Sequence, residues 1–150
     1  MAQKKTYIAP TAGIVDFSAE VRPQLLFSFG ARPKNFLLGA GAGITQYLTK
    51  AYVPLYFETG YINRKKTWPF GIARVGYGVY SRQIDNTSQR TKGGLYLNLN
   101  VGISIPNKGN SLFAFGAGYV HSEFKVGVNS INTGSGYGLN GFTVFVSIIL

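Results

Sequence analysis

From Gly94 to Ile105 the chain reads Gly-Leu-Tyr-Leu-Asn-Leu-Asn-Val-Gly-Ile-Ser-Ile. Every odd position from Leu95 to Ile105 carries a large aliphatic side chain, and every even position between them carries Tyr, Asn, Gly or Ser. A strict period of two predicts a β-strand with one apolar and one polar face. At about 11 residues the strand is also long enough, when tilted, to cross a bilayer. Two architectures use such a strand in opposite senses. A soluble sandwich turns the aliphatic face to its core, whereas a membrane barrel turns it to lipid and fills the lumen with the polar face.

The same alternation recurs along the chain and predicts eight strands, over 5–17, 21–31, 36–48, 52–63, 69–82, 93–105, 111–125 and 139–150. In the third, Phe36, Leu38, Ala40, Ala42 and Ile44 alternate with Leu37, Gly39, Gly41, Gly43 and Thr45. In the fourth, Val53, Leu55, Phe57, Thr59 and Tyr61 alternate with Tyr52, Pro54, Tyr56, Glu58 and Gly60. The first strand is the least regular, and Pro10 within it suits an edge or a bulge. The second, fourth and sixth connections are short and rich in turn formers: Arg32-Pro33-Lys34-Asn35, Asn63 to Thr67 and Pro106 to Asn110. Longer connections, Gln83 to Lys92 and about Gly127 to Gly138, fall at the opposite end. An outer-membrane barrel has tight periplasmic turns and longer outer loops, so both termini are expected on the periplasmic side.

Composition tips the balance toward the barrel. The 150 residues fit a single domain, taken as 1–150. Only 13% of them are charged, about half of the usual ~25%. The polar faces hold Gly, Ser, Thr, Asn and Tyr where a water-facing surface would carry Lys and Glu. Small, weakly charged residues suit the narrow interior of a small barrel. Tyr47, Tyr61, Trp68, Tyr77 and Tyr119 lie near strand ends or on outward faces, as interfacial girdles require. There is no cysteine, hence no disulfide framework. The opening Met1-Ala2-Gln3-Lys4-Lys5-Thr6 lacks the apolar core of a secretory signal, so a mature form is expected.

The net charge of +10 suggests nucleic acid until its distribution is considered. Lys4, Lys5, Arg32, Lys34, Arg64, Lys65, Lys66 and Lys108 fall before the first strand or in the short turns, not in a stripe, and no nucleic-acid partner is expected. This basic ring suits phospholipid head groups. Asp16, Glu20, Asp85 and Glu123 gather near the other end with Lys50, Arg82, Arg90, Lys92 and Lys125, where bases suit lipopolysaccharide phosphates.

Several segments carry a family resemblance. They are Phe36 to Gly43, Val53-Pro54-Leu55-Tyr56-Phe57, Pro69-Phe70-Gly71, Gly76-Tyr77-Gly78, Gly93 to Leu97 and Gly116-Ala117-Gly118-Tyr119. In their order the chain, over about 21–150, resembles the small outer-membrane β-barrel superfamily of the OmpA transmembrane domain and OmpX. It is most similar to the porin-like outer membrane protein beta-barrel domain of Bacteroidetes-type bacteria. The resemblance implies an eight-stranded antiparallel up-and-down transmembrane barrel in the outer membrane of a Gram-negative bacterium, inserted by the outer-membrane insertion machinery. One departure is the last residue: such barrels usually end in an aromatic side chain, and here Leu150 stands in that place.

Candidate chemistry is sparse. Glu58 and Arg74 fall on inward faces of adjacent strands, and Arg22, Arg82, Tyr80, Tyr96, Asn98 and Asn100 share the inward phase. A small barrel has an interior filled by side chains, and buried charges must be paired, so these residues predict a structural polar network. His121 and Ser122 are adjacent, hence on opposite faces of a regular strand, and cannot act together as base and nucleophile. Gly39-x-Gly41-x-Gly43 has the period of a strand and no following helix, so it is not a phosphate loop. No residue group has metal-ligand spacing, and neither a cofactor nor a catalytic residue is expected. The expectation is a monomer or accessory subunit with a plugged lumen and a structural or adhesive role. A narrow porin-like channel, a lipid-modifying enzyme, a designed barrel and a soluble barrel are the competing readings.

Overall fold

The computed structural model describes residues 6–17, 20–47, 50–80, 89–107, 109, 111–128 and 135–150. Their strands are β1 (Thr6–Phe17), β2 (Glu20–Ala31), β3 (Phe36–Tyr47), β4 (Lys50–Tyr61), β5 (Trp68–Tyr80), β6 (Gln89–Lys92), β7 (Gly94–Pro106), β8 (Leu112–Val128) and β9 (Ser135–Ile149). Every ladder is antiparallel. Because β9 pairs with both β8 and β1, the sheet closes on itself. The result is an eight-stranded all-antiparallel barrel in which β6 and β7 form one stave.

The break between β6 and β7 has a local cause. Lys92 faces Lys125 and Tyr96 faces Ser122, so this stave carries one residue more than its partner, a β-bulge. The bulge falls at Gly93 and Gly94. A Cβ on Gly93 would strike the carbonyl oxygen of Gly78, and one on Gly94 would strike the backbone of Glu123. Here β8 and β9 run further out than the alternation around residues 111–125 and 139–150 suggested. The period of two in fact continues through Phe124, Val126 and Val128.

Pro10 lies in the closing seam, not at an edge. It faces Phe27 of β2 on one side. On the other, the β1–β9 ladder runs over Thr11 to Asp16, and Ile8 exchanges backbone hydrogen bonds with Leu150 (3.4 and 2.9 Å). Proline has no N–H to give a ladder. Side chains reinforce this stretch: Thr11 Oγ1 donates to Ser147 Oγ at 2.8 Å, and Ser147 Oγ donates to the Pro10 carbonyl at 3.0 Å.

Alternation sorts the side chains cleanly. Phe57 and Phe142 on the outer face are 73% and 74% exposed, whereas Arg74 on the inner face is 2% exposed. The interior holds two apolar clusters. One, toward the short turns, includes Tyr7, Leu37, Ile62, Phe70, Leu112 and Ile149. The other, toward the opposite end, includes Val15, Phe17, Leu26, Tyr52, Tyr96 and Val120. Along β9 and the residue after it, the outward set Phe142, Val144, Val146, Ile148 and Leu150 contains no polar residue. At about 3.4 Å per residue and a tilt of about 40°, that set spans roughly 20 Å of height, close to the ~25 Å apolar band of a membrane barrel.

Candidate functional site

A polar belt crosses the lumen between the two apolar clusters. Antiparallel pairing sets Glu58 directly opposite Arg74, Arg74 opposite Asn98, and Asn98 opposite Val120. In the other direction Glu58 faces Gly39, Gly39 faces Gly30, and Gly30 faces Tyr7. The two glycines leave the inner wall bare, so the Tyr7 side chain can reach across it. A Cβ on Gly39 would strike the Tyr7 hydroxyl, and one on Gly41 would lie 2.7 Å from the Tyr56 ring. The small inward residues of β3 thus make room for two tyrosines.

Glu58 is the hub. Its Oε2 accepts from Arg74 Nε at 2.5 Å and from Ser28 Oγ at 3.1 Å, and its Oε1 accepts from the Tyr7 hydroxyl at 2.7 Å. The Ser28 and Tyr56 hydroxyls lie 3.0 Å apart, and the Arg74 guanidinium carbon sits 5.6 Å from the centroid of the Tyr56 ring. Asn98 donates to the Tyr96 hydroxyl at 3.0 Å, and Asn100 Nδ2 donates to Asn98 Oδ1. A buried carboxylate and a buried guanidinium are tolerable only when paired and further hydrogen-bonded, and both conditions hold here.

The inward phase therefore brings Glu58, Arg74, Tyr96, Asn98 and Asn100 together. It does not bring Arg22, which pairs with Glu20 through Nη2 at 2.6 Å on a partly exposed rim. Phase fixes the face but not the height. Arg22 faces Val15 on β1, far along β2 from Gly30, which faces Tyr7 at belt level. Tyr80 belongs to the aromatic cluster, with its ring 4.8 Å from that of Tyr52. Arg82 lies outside the described residues, as do Lys4, Lys5, Asp85, Lys108 and the Asn129–Gly134 stretch. Tyr7, Ser28 and Tyr56 complete the belt and were not singled out in the sequence. Their signal was the inward phase combined with the glycines facing them.

On the outer wall, His121 and Ser122 point to opposite sides. Ser122 is buried inside, whereas His121 Nδ1 lies 2.7 Å from Asn140 Oδ1, which also accepts from the Tyr119 hydroxyl at 2.6 Å. Glu123 Oε1 is 3.5 Å from His121 Nε2. These four residues end the apolar band on β8 and β9. Of the expected girdle, Tyr61, Trp68, Tyr77 and Tyr119 are exposed on the outer face, and the Tyr47 side chain lies outside those described.

At the other end the short turns enclose a cavity of about 630 Å³ lined by Lys34, Asn63, Arg64, Lys65, Lys66 and Asn107, among others. The turns are held locally. Lys34 adopts φ 55° and Gly109 φ 99°, the left-handed conformations that tight reversals use. Phe36 N–H donates to the Pro33 carbonyl at 3.0 Å, and Asn107 N–H to that of Ser111 at 2.9 Å. Arg32, the first residue of its turn, is 4% exposed. Burial pushes its guanidinium pKa down, and the nearby Arg64 charge adds to that.

No protein-family model matches the chain, and no curated protein matches it in sequence. Solved structures do. Neisserial surface protein A superposes with a TM-score of 0.68 at 11% identity, covering 97% of this chain and 94% of that one. The outer membrane protein AlkL, determined in lipid bilayers, gives 0.62 at 10% identity, covering 100% and 92%. The outer membrane protein OprG from Pseudomonas aeruginosa gives 0.56 at 10%, covering 98% and 95%. The fold is thus that of the small eight-stranded barrels found among bacterial outer-membrane proteins.

Proposed function

We propose that the chain is an integral barrel of a bacterial outer membrane, with a lumen plugged by its own side chains and a structural, adhesive or accessory role. The inverted placement of polarity carries this reading. Large apolar side chains cover the outside, and the paired Glu58 and Arg74 are enclosed. In water such a surface far exceeds the apolar patches that soluble monomers tolerate, whereas in a bilayer it is the required lipid face. The barrels it resembles in fold are themselves named as outer membrane or surface proteins. The finer kinship with the OmpA and OmpX superfamily stands on the sequence segments given above.

Two apolar clusters with the hydrogen-bonded belt between them support a closed lumen. The opposite facing of His121 and Ser122 supports a non-enzymatic role. The partners that fit are outer-membrane lipids and, during biogenesis, the insertion machinery. Planar-bilayer recording on protein with heat-modifiable gel mobility tests the reading. The expected result is a folded barrel without steady conductance. Steady unitary currents would overturn the plugged lumen in favour of a narrow channel, and solubility without detergent would overturn the membrane assignment.

A further inference from the structure

That reading sets the basic turn end against lipid head groups in general and assigns no ligand to the cavity within it. Exposed lysines on turns need no partner, since water solvates them at no cost. Arg32 is different. It is 4% exposed, and neither its Nε nor its Nη1 has a hydrogen-bond partner among the described residues. Arginine cannot escape burial by losing its proton. Two enclosed guanidinium donors without a partner therefore carry a desolvation cost that nothing among the described residues offsets. Arg64, close enough to act on Arg32 through its charge, also lines the cavity. Among the described lining residues there is no Asp or Glu, and four are basic. The volume lies in the range of pockets that hold small ligands.

We propose that the turn-side mouth of the barrel binds a multiply charged phosphate group, held by the cavity-lining Arg64, Lys34, Lys65 and Lys66, with Asn63 supplying a neutral polar contact and the enclosed Arg32, beside Arg64, adding its charge. A single carboxylate would balance one cation and leave the others facing each other. A phosphate or phosphoester offers several acceptor oxygens to guanidinium donors and more than one negative charge. The group belongs either to a soluble phosphorylated compound or to an anionic phospholipid. The soluble-ligand arm, tested in detergent, goes beyond the membrane reading and does not depend on it, whereas the lipid arm rests on that reading.

The full chain is purified in a maltoside detergent, which has no phosphate. Its thermal midpoint is then followed in sodium phosphate, sodium pyrophosphate and sodium chloride at equal ionic strength. In parallel it is reconstituted in phosphatidylcholine with and without phosphatidylglycerol. Stabilisation by phosphate or pyrophosphate beyond chloride supports the site and assigns a soluble ligand. Stabilisation by phosphatidylglycerol alone supports it and assigns a lipid. Arg64→Gln is expected to weaken the response roughly tenfold. Arg32→Gln is expected to weaken the response as well while raising the midpoint in chloride, because it removes an enclosed charge with two unpartnered donors. A wild-type chain indifferent to both phosphate and phosphatidylglycerol overturns the proposal, as does a response that survives both substitutions. Heat-modifiable mobility retained in either case shows the barrel itself intact.

Discussion

Glu58→Ala is the most informative single perturbation of the lumen. In the native barrel the Glu58 carboxylate receives three side-chain hydrogen bonds, from Arg74, Ser28 and Tyr7. The Arg74 and Glu58 side chains are 2% and 1% exposed. Truncation leaves the guanidinium charged and enclosed, and breaking one side of a buried pair costs about 3–5 kcal/mol. The Tyr7 hydroxyl also loses its acceptor, which adds about 1 kcal/mol. Against a total of about 5–15 kcal/mol, this approaches the whole stability of a domain. The double variant Glu58→Leu with Arg74→Met separates charge from packing. Replacing both partners by apolar side chains of similar size is often neutral, so its loss should be no more than about 1 kcal/mol. The assay is equilibrium urea unfolding in micelles, with gel mobility as an independent measure of folding. A Glu58→Ala variant within about 1 kcal/mol of the native barrel would refute the reasoning, given the cost expected for an unpaired buried charge. So would a double variant as unstable as the single one, since then the charges would not be coupled.

Other outcomes follow from single contacts. Thr143 is buried, and its hydroxyl has no partner among the described residues; Thr143→Val should leave stability unchanged or raise it by up to about 1 kcal/mol, and a clear fall in the urea midpoint would refute that. Gly78→Ala should cost about 1–3 kcal/mol by overpacking, because the new methyl would strike the Tyr52 ring. Gly71→Ala is its control: there the nearest atom lies 3.9 Å away, so the two midpoints should separate, and equal midpoints would discount the ring contact. Spin labels at Leu99 and Asn98 should differ in collision with a lipid-phase quencher, high at 99 and low at 98, since Leu99 is exposed and Asn98 fully buried; the reverse order would invert the barrel faces.

Much of this was legible along the chain, and the reasons are local. Alternation from Leu95 to Ile105 assigns each side chain to a face, and β7 places Leu99 outside with Asn98 and Asn100 inside. The Glu58–Arg74 pair was legible because one tight turn joins β4 to β5, which puts the two residues in register. Tyr7 was not, because it meets Glu58 only after β2 and β3 are interposed and the barrel closes. The rim position of Arg22 was equally hidden, since height depends on the stagger of the strands and phase alone carries no height. The bulge at Gly93 escaped for a related reason: a glycine pair reads as a strand start until β8 is seen running past it.

The placement of charge explains why the interior is divided as it is. Between the two apolar clusters, Glu58 and Arg74 satisfy each other through one short contact and leave no net charge at the belt. Removing either charge alone creates an unpaired ion in a space bounded by Tyr7, Tyr56 and Tyr96, where water has little room to compensate. At the turn end the described residues show no such compensation: Arg32 is 4% exposed, the charge acting on it is that of Arg64, and the cavity that Arg64 lines is otherwise basic. The same rule, that an enclosed charge needs a counter-charge, thus accounts for the belt from within the chain and motivates the phosphate partner proposed for the mouth. The proposed closed lumen and the proposed phosphate site are therefore compatible: the first concerns passage through the barrel, and the second concerns what rests against its turn-side end.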